Sequence, residues 1–328
     1  MWYFTAGGLY RPAGWGIIRG VDRCARLADG TARLALLTGL GVLLLAGCQP
    51  PPSAPTEGKP PSAVLASPSA FLPSPQPTVS PTPACVAAGT WVDFHYRGVA
   101  VAEDVPARIY LPPCYEANET RYPTAYFLHG KPYTEEEWIS LGLPDLLAAG
   151  EEDGTLPPMI VVLARQPEPL FSQSDGGPGS YEAEFTEGLV PAVDQAFRTQ
   201  ASPEGRAVVG LSRGGVWALE IALRHPELIG AVAALSPALA VNYAREVYDP
   251  MRLAATADTL PARIWLAAGD TDWARKGTES LASVFSSRDV LPAVVIVPGD
   301  HSDATWASML PDVLAFLASA LPAGSPVP

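Results

Sequence analysis

Gly210-Leu211-Ser212-Arg213-Gly214 places a serine between two glycines, after an apolar run and before a helix-like one. Strand, sharp turn and helix is the context that exposes a serine hydroxyl at a strand tip. Such a hydroxyl is a weak nucleophile until a base takes its proton, and the base needs a carboxylate to orient it. Downstream of Ser212 there are two histidines, His225 and His301. His225, in Arg224-His225-Pro226, ends a helix-like run, where the plain role is a charge partner for a helix C-terminus. His301, in Gly299-Asp300-His301-Ser302, follows an apolar strand and precedes the last helix-like run, so it is the candidate base. The acid should follow the preceding strand, where Gly269 leads into Asp270-Thr271-Asp272. A carboxylate three residues beyond the glycine selects Asp272. Asp270 stays as the alternative, or else as a turn former.

Attack on a carbonyl creates an oxyanion, which must meet preorganised N–H groups. Arg213, directly after the serine, supplies one. The second is expected from His129-Gly130-Lys131-Pro132-Tyr133, where proline has no N–H and Lys131 is the expected donor. His129 reads as a buried, hydrogen-bonded structural histidine. Trp138, Tyr133, Trp273 and Trp306 could wall a substrate site or pack the core. The long segment Gln166 to Ser180 is expected to contribute to an acyl or alcohol pocket. With four histidines and no paired ligand spacing, neither a metal nor another cofactor is expected.

The elements that must carry these groups alternate. Strands are expected at Val92–Tyr96, Val105–Leu111, Tyr122–Leu128, Met159–Leu163, Ala207–Leu211, Ala231–Leu235, Ile264–Ala268 and Ala293–Val297. Helices are expected at Glu135–Ala149, Tyr181–Phe197, Val216–Arg224, Thr278–Phe285 and Ala304–Leu317. Continuous apolar strands suit a sheet covered on both faces, so the alternation predicts an α/β fold with a mostly parallel sheet. In such sheets the site lies at the carboxyl ends of the strands.

Several segments in order resemble the Putative esterase family of α/β-hydrolases, which includes S-formylglutathione hydrolase (esterase D), enterochelin esterase, feruloyl esterases and the mycolyltransferases. They are Tyr110-Leu111-Pro112-Pro113, Tyr122-Pro123 with Phe127-Leu128-His129-Gly130, Gly210 to Gly215, Gly269 to Asp272, and Gly299-Asp300-His301 with Trp306. The resemblance implies an α/β-hydrolase fold, a triad of Ser212, Asp272 and His301, and oxyanion donors at Lys131 and Arg213. It implies hydrolysis of a carboxylic ester, with acyl transfer of the mycolyltransferase type as an alternative. A non-catalytic tethered binding protein on the same scaffold is the third reading. Asp300 departs from the family pattern, where glycine is commoner.

The rest of the chain concerns location. Residues 1–47 read as an export signal: arginines at 19, 23, 26 and 33 precede an apolar stretch from Leu34 to Ala46. The charged region before that stretch is long, and a translation start near Val21 would shorten it. Leu45-Ala46-Gly47-Cys48 resembles a bacterial lipobox, which implies cleavage before Cys48 and diacylglycerol on its thiol. Residues 48–84 then form a spacer with twelve prolines, too poor in large apolar groups to fold. The catalytic domain is expected over residues 85–321, with a flexible tail at 322–328. The full chain has a formal net charge of −13; without the signal, which holds five basic and two acidic residues, it is −16. That excludes nucleic acid as a partner and leaves the lipid as the link to a membrane. Cys85 and Cys114 are expected to form a disulfide in an oxidising compartment, stabilising the domain edge by about 3 kcal/mol. An extracytoplasmic tether suits carbohydrate, siderophore or lipid esters as substrates.

Overall fold

A computed structural model of the chain describes residues 88–326. The expected signal, lipidated Cys48, spacer and Cys85 lie outside the described residues. Eight strands form one sheet in the order β1-β2-β4-β3-β5-β6-β7-β8. They are β1 (Thr90–Arg97), β2 (Asp104–Leu111), β3 (Thr124–Leu128), β4 (Ile160–Ala164), β5 (Arg206–Leu211), β6 (Ala231–Leu235), β7 (Arg263–Gly269) and β8 (Ala293–Val297). β2 runs antiparallel to β1 and β4, and the other neighbours pair in parallel. This is the α/β-hydrolase fold.

The parallel strands read as unbroken apolar runs because both sides of the sheet are covered. Successive residues point to opposite faces. Tyr126, Val208 and Leu266 enter one core with Trp217, Phe185 and Phe285 from the helical segments at 181–196, 212–224 and 275–286. Phe127, Val209 and Trp265 enter the other with Leu147, Met309 and Leu317 from the helices Leu143–Glu152 and Asp303–Ala320. Burying one such side chain contributes about 1.5–3 kcal/mol, so the two cores fix the sheet as a rigid platform.

Register then aligns the strand ends. Leu128 lies opposite Gly210, Gly210 opposite Ala234, Leu235 opposite Ala267, and Gly269 opposite Val297. The loops after β3, β5, β7 and β8 therefore emerge along one edge, and these loops hold the candidate chemistry.

The helices depart from expectation where proline and glycine intervene. The helix expected over Glu135–Ala149 is two pieces, Glu137–Ser140 and Leu143–Glu152. Gly142 between them has φ 89°, and Pro144 lies in the first turn of the second piece, as suits a residue with no N–H to donate. The helix expected from Tyr181 carries a π-helical stretch, Glu184–Leu189, just before Pro191. The missing proline N–H is a physical reason for the ladder to shift there. Short helices at Leu170–Gln173 and Pro250–Thr256 had no strong periodic signal. In the stretch expected as a tail, Ser325 pairs with Arg121 through two backbone hydrogen bonds of 2.8 and 2.9 Å. Cys114 is disulfide-bonded. Among the described residues no helix is long and apolar enough to cross a membrane.

Candidate active site

β5 ends at Leu211 and the helix Ser212–Arg224 begins at the next residue. The turn holds Ser212 at φ 51°, a left-handed backbone for a residue with a side chain. Such strain costs on the order of 1–3 kcal/mol and persists where packing over-determines it. The flanking glycines permit that packing. A Cβ on Gly210 would collide with the Gly214 carbonyl, and a Cβ on Gly214 would collide with the carbonyls of Leu128 and His129.

The structure brings the three expected side chains together from three loops. Ser212 Oγ stands 2.9 Å from His301 Nε2. His301 Nδ1 stands 2.9 Å from Asp272 Oδ1 and 3.1 Å from Oδ2. The Asp272 side chain has no exposed surface, and Oδ1 also accepts the Ala274 N–H at 2.7 Å. An ionised carboxylate only accepts, so Nδ1 carries its hydrogen and Nε2 presents a lone pair to the serine hydroxyl.

Asp270 is placed elsewhere. Its Oδ1 accepts the Gly299 N–H at 2.9 Å. Thr271 donates its N–H and its hydroxyl to the Gly299 carbonyl, at 3.0 and 2.8 Å. The loop after β7 is thus knitted to the loop after β8, which fixes the His301 imidazole relative to the Asp272 carboxylate. Asp300 is exposed.

Of the expected oxyanion donors, Arg213 follows the serine directly, and Lys131 follows Gly130, where a Cβ would lie 3.5 Å from Ser212 Cβ. Arg213 lies in the first turn of its helix, where N–H groups lack an intrahelical acceptor. In the loop after β3, the Gly130 N–H goes to Glu137 Oε2 at 2.7 Å and the Tyr133 N–H to the Gly130 carbonyl at 3.1 Å. Pro132 has none, so the Lys131 amide remains.

Glu137 was not legible as a site residue: it closes an acidic run, Glu135-Glu136-Glu137, that reads as a solvated helix start. It is buried, and burial pushes its carboxyl up to about 7, with the Gly130 N–H opposing and Asp303 assisting. The side chain of Arg213 was missed as well. Its guanidinium donates to the carbonyls of Phe171 and Ser174, at 3.3 and 3.1 Å, and to Asn242 Oδ1 at 3.1 Å. It ties the segment Gln166 to Ser180 to the serine turn.

His129 and His225 have structural partners. His129 Nε2 accepts the Gln166 N–H at 3.1 Å while Nδ1 lies 2.8 Å from the Gly130 carbonyl. The ring is therefore a neutral Nδ1–H tautomer, and burial lowers its pKa to about 4. His225 caps its helix beside Glu182, 2.7 Å away, and that hydrogen bond raises its pKa.

Of the four candidate aromatics, two are exposed. Trp138 is core, edge-on to Phe127 at 5.0 Å. Trp306 is buried and meets the His301 ring at 4.9 Å and 87°. Trp273 is 48% exposed and lies over His301 at 4.3 Å and 36°. Tyr133 is part exposed and bonds Asp303 through its hydroxyl at 3.0 Å. A cleft of about 500 Å³ opens beside Lys131 and Arg213, walled by Ser172, Ser174, Asn242 and Tyr243. A larger open cleft, about 760 Å³, lies around Arg263 at the amino end of β7 and is lined by none of Ser212, Asp272 and His301. Among the described residues no group of three or more His, Cys, Asp or Glu could hold a metal ion.

The family model described as Putative esterase matches residues 99–320. The chain belongs to that family. Among curated relatives, this esterase-family chain is 34% identical over 140 residues to the "Endo-1,4-beta-xylanase/feruloyl esterase" of Xylanibacter ruminicola, covering 40% of this chain and 19% of that protein. It is 28% identical over 141 residues to "Esterase Rv1288" of Mycobacterium tuberculosis, covering 40% and 29%. The chain thus spans well under two thirds of the length of these relatives. A solved "ferulic acid esterase" superimposes with a TM-score of 0.65 at 21% identity, covering 72% of this chain and all of that one. That likeness establishes the fold.

Proposed function

We propose that this chain is a serine carboxylic ester hydrolase working through an acyl-enzyme on Ser212. One observation carries the reading: the unbroken relay from Ser212 Oγ to His301 Nε2 and from His301 Nδ1 to the buried Asp272 carboxylate. Ser212 Oγ attacks the ester carbonyl carbon and its proton passes to Nε2. The carbonyl oxygen, now negative, is met by the Lys131 and Arg213 amides. As the tetrahedral species collapses, Nε2 returns the proton to the departing alcohol oxygen, leaving the acyl group on Ser212. Water then repeats the sequence, its proton going to Nε2 and then back to Ser212 Oγ. Asp272 stays ionised and holds the imidazole in the tautomer that both half-reactions need.

The cleft beside Lys131 and Arg213 is where part of the ester would lie. Hydroxycinnamoyl esters of sugars are the first substrates to test, because two similar proteins carry feruloyl or ferulic acid esterase in their names. The lipobox at Cys48 and the proline-rich spacer support an extracytoplasmic enzyme tethered by lipid, and a disulfide at Cys114 suits an oxidising compartment.

Ser212→Ala should abolish hydrolysis of p-nitrophenyl acetate and labelling by a fluorophosphonate while leaving the melting temperature close to the parent's. Activity retained by that variant would sink the assignment. For the tether, Cys48→Ser in full-length precursor expressed in bacteria should remove the protein from the detergent phase of a phase-partition assay. Unchanged partition would refute lipidation.

A further inference from the structure

The Asp272 carboxylate holds His301 at Nδ1, and two tryptophan rings pack against the imidazole. Trp306 is buried and nearly perpendicular, at 4.9 Å. Trp273 follows Asp272 directly and lies over the imidazole at 4.3 Å and 36°, with about half of its own surface still open to solvent. An exposed indole placed against a ring that must become cationic has a chemical consequence. The face of an aromatic ring attracts a cation, and among side chains indole does so best.

Resting on the function proposed above, we infer that Trp273 is a positioning residue that stabilises the His301 imidazolium. Each proton transfer from Ser212 or water to Nε2 creates that cation, and each return to the leaving oxygen or to Ser212 removes it. Asp272 meets the charge at Nδ1 and the indole meets it from above, without itself exchanging a proton. The other charged groups around the site have partners of their own or face solvent. Asp270 is occupied with the Gly299 N–H, and Arg275 with the Asp270 carbonyl. Asp303 accepts from Tyr133, Asp300 is exposed, and the Arg213 guanidinium faces Phe171 and Asn242. Glu137 lies behind the loop after β3, on the Gly130 amide.

The test uses Trp273→Leu, which keeps an apolar cover without an aromatic face, and Trp273→Phe, which keeps a weaker one. The titration of His301 is followed by ¹⁵N NMR in the Ser212→Ala background, and kcat, KM and kcat/KM against pH are measured with p-nitrophenyl acetate in the active chain. The leucine variant should lower the His301 midpoint, move the acid limb of kcat/KM to lower pH with it, and reduce kcat by about 2- to 30-fold at unchanged KM. Phenylalanine should fall between leucine and the parent. An unmoved His301 midpoint in Trp273→Leu, or a change confined to KM, would overturn the inference and leave Trp273 as a wall of the cleft. Failure of the proposed function is seen separately, as hydrolysis surviving Ser212→Ala, since the NMR titration needs no turnover.

Discussion

The carboxylate of Glu137 accepts the amide hydrogen of Gly130 at 2.7 Å, directly behind the loop that presents Lys131. The loop after β3 is therefore held by a buried acid from the next helical turn. Burial raises that carboxyl from its ordinary 4.5 to about 7. Between these values the unfolded chain gives up a proton that the folded chain keeps, so stability falls as pH rises through this window. Glu137→Gln keeps an acceptor for Gly130 and removes the ionisation. Its melting temperature should gain on the parent's between pH 4.5 and 7 and then level off. Glu137→Ala should instead leave the Gly130 N–H without an acceptor, lose about 1–3 kcal/mol and reduce kcat, as denaturant titration and ester kinetics would show.

His129 behaves with the opposite sign. Its folded pKa lies near 4, below the ordinary 6.5, because of burial. Between these values the unfolded chain binds a proton that the folded chain refuses, so stability is lost as pH falls from about 6.5 towards 4. His129→Gln should flatten that acid slope in thermal melts, even where its absolute stability is lower. A slope identical to the parent's would count against a neutral, buried His129.

The two aspartates after β7 should separate cleanly. Asp272→Asn leaves His301 without its ionised partner and favours the wrong tautomer, and kcat should fall by about 10³- to 10⁴-fold. Asp270→Asn retains an acceptor for the Gly299 N–H, and its kcat should stay within about tenfold of the parent's. Steady-state kinetics on one activated ester decides between them.

Arg213 carries the proposed oxyanion amide beside the serine, and its guanidinium braces the cleft wall. Arg213→Met leaves the amide in place and removes the donors to Phe171, Ser174 and Asn242. Hydrogen bonds from a charged donor are each worth about 1.5–3 kcal/mol, so the segment from Gln166 to Ser180 should open more readily. Hydrogen exchange should show faster labelling there, with KM raised more than kcat is lowered. Unaltered exchange would show that the segment is held by other contacts.

The strands were readable because each inner parallel strand is covered on both sides, so its residues had to be apolar in an unbroken run. Ser212, Asp272 and His301 were readable because each follows a short apolar run. Glu137 was not, since its partner is chosen by a turn between Gly130 and Glu137 that leaves no periodic trace. Trp138, Trp273 and Trp306 look alike as residues; their burial, from core to half-open, depends on helices packed over the sheet. Gly142 and Pro144 stood inside the helix expected over Glu135–Ala149, and their backbone limits decided the break there.

Among the described residues β8 is an edge strand, paired with β7 alone and partly exposed, yet the loop that follows it presents His301. Ser212 and Asp272, the proposed nucleophile and acid, follow strands flanked on both sides. His301, the proposed proton-transfer group, thus hangs from an edge of the sheet, where opening requires less of the fold to give way than in its middle. Catalytic output should then respond to fraying at this margin before any spectroscopic sign of unfolding, making the reaction rate a sensitive gauge of the enzyme's own edge.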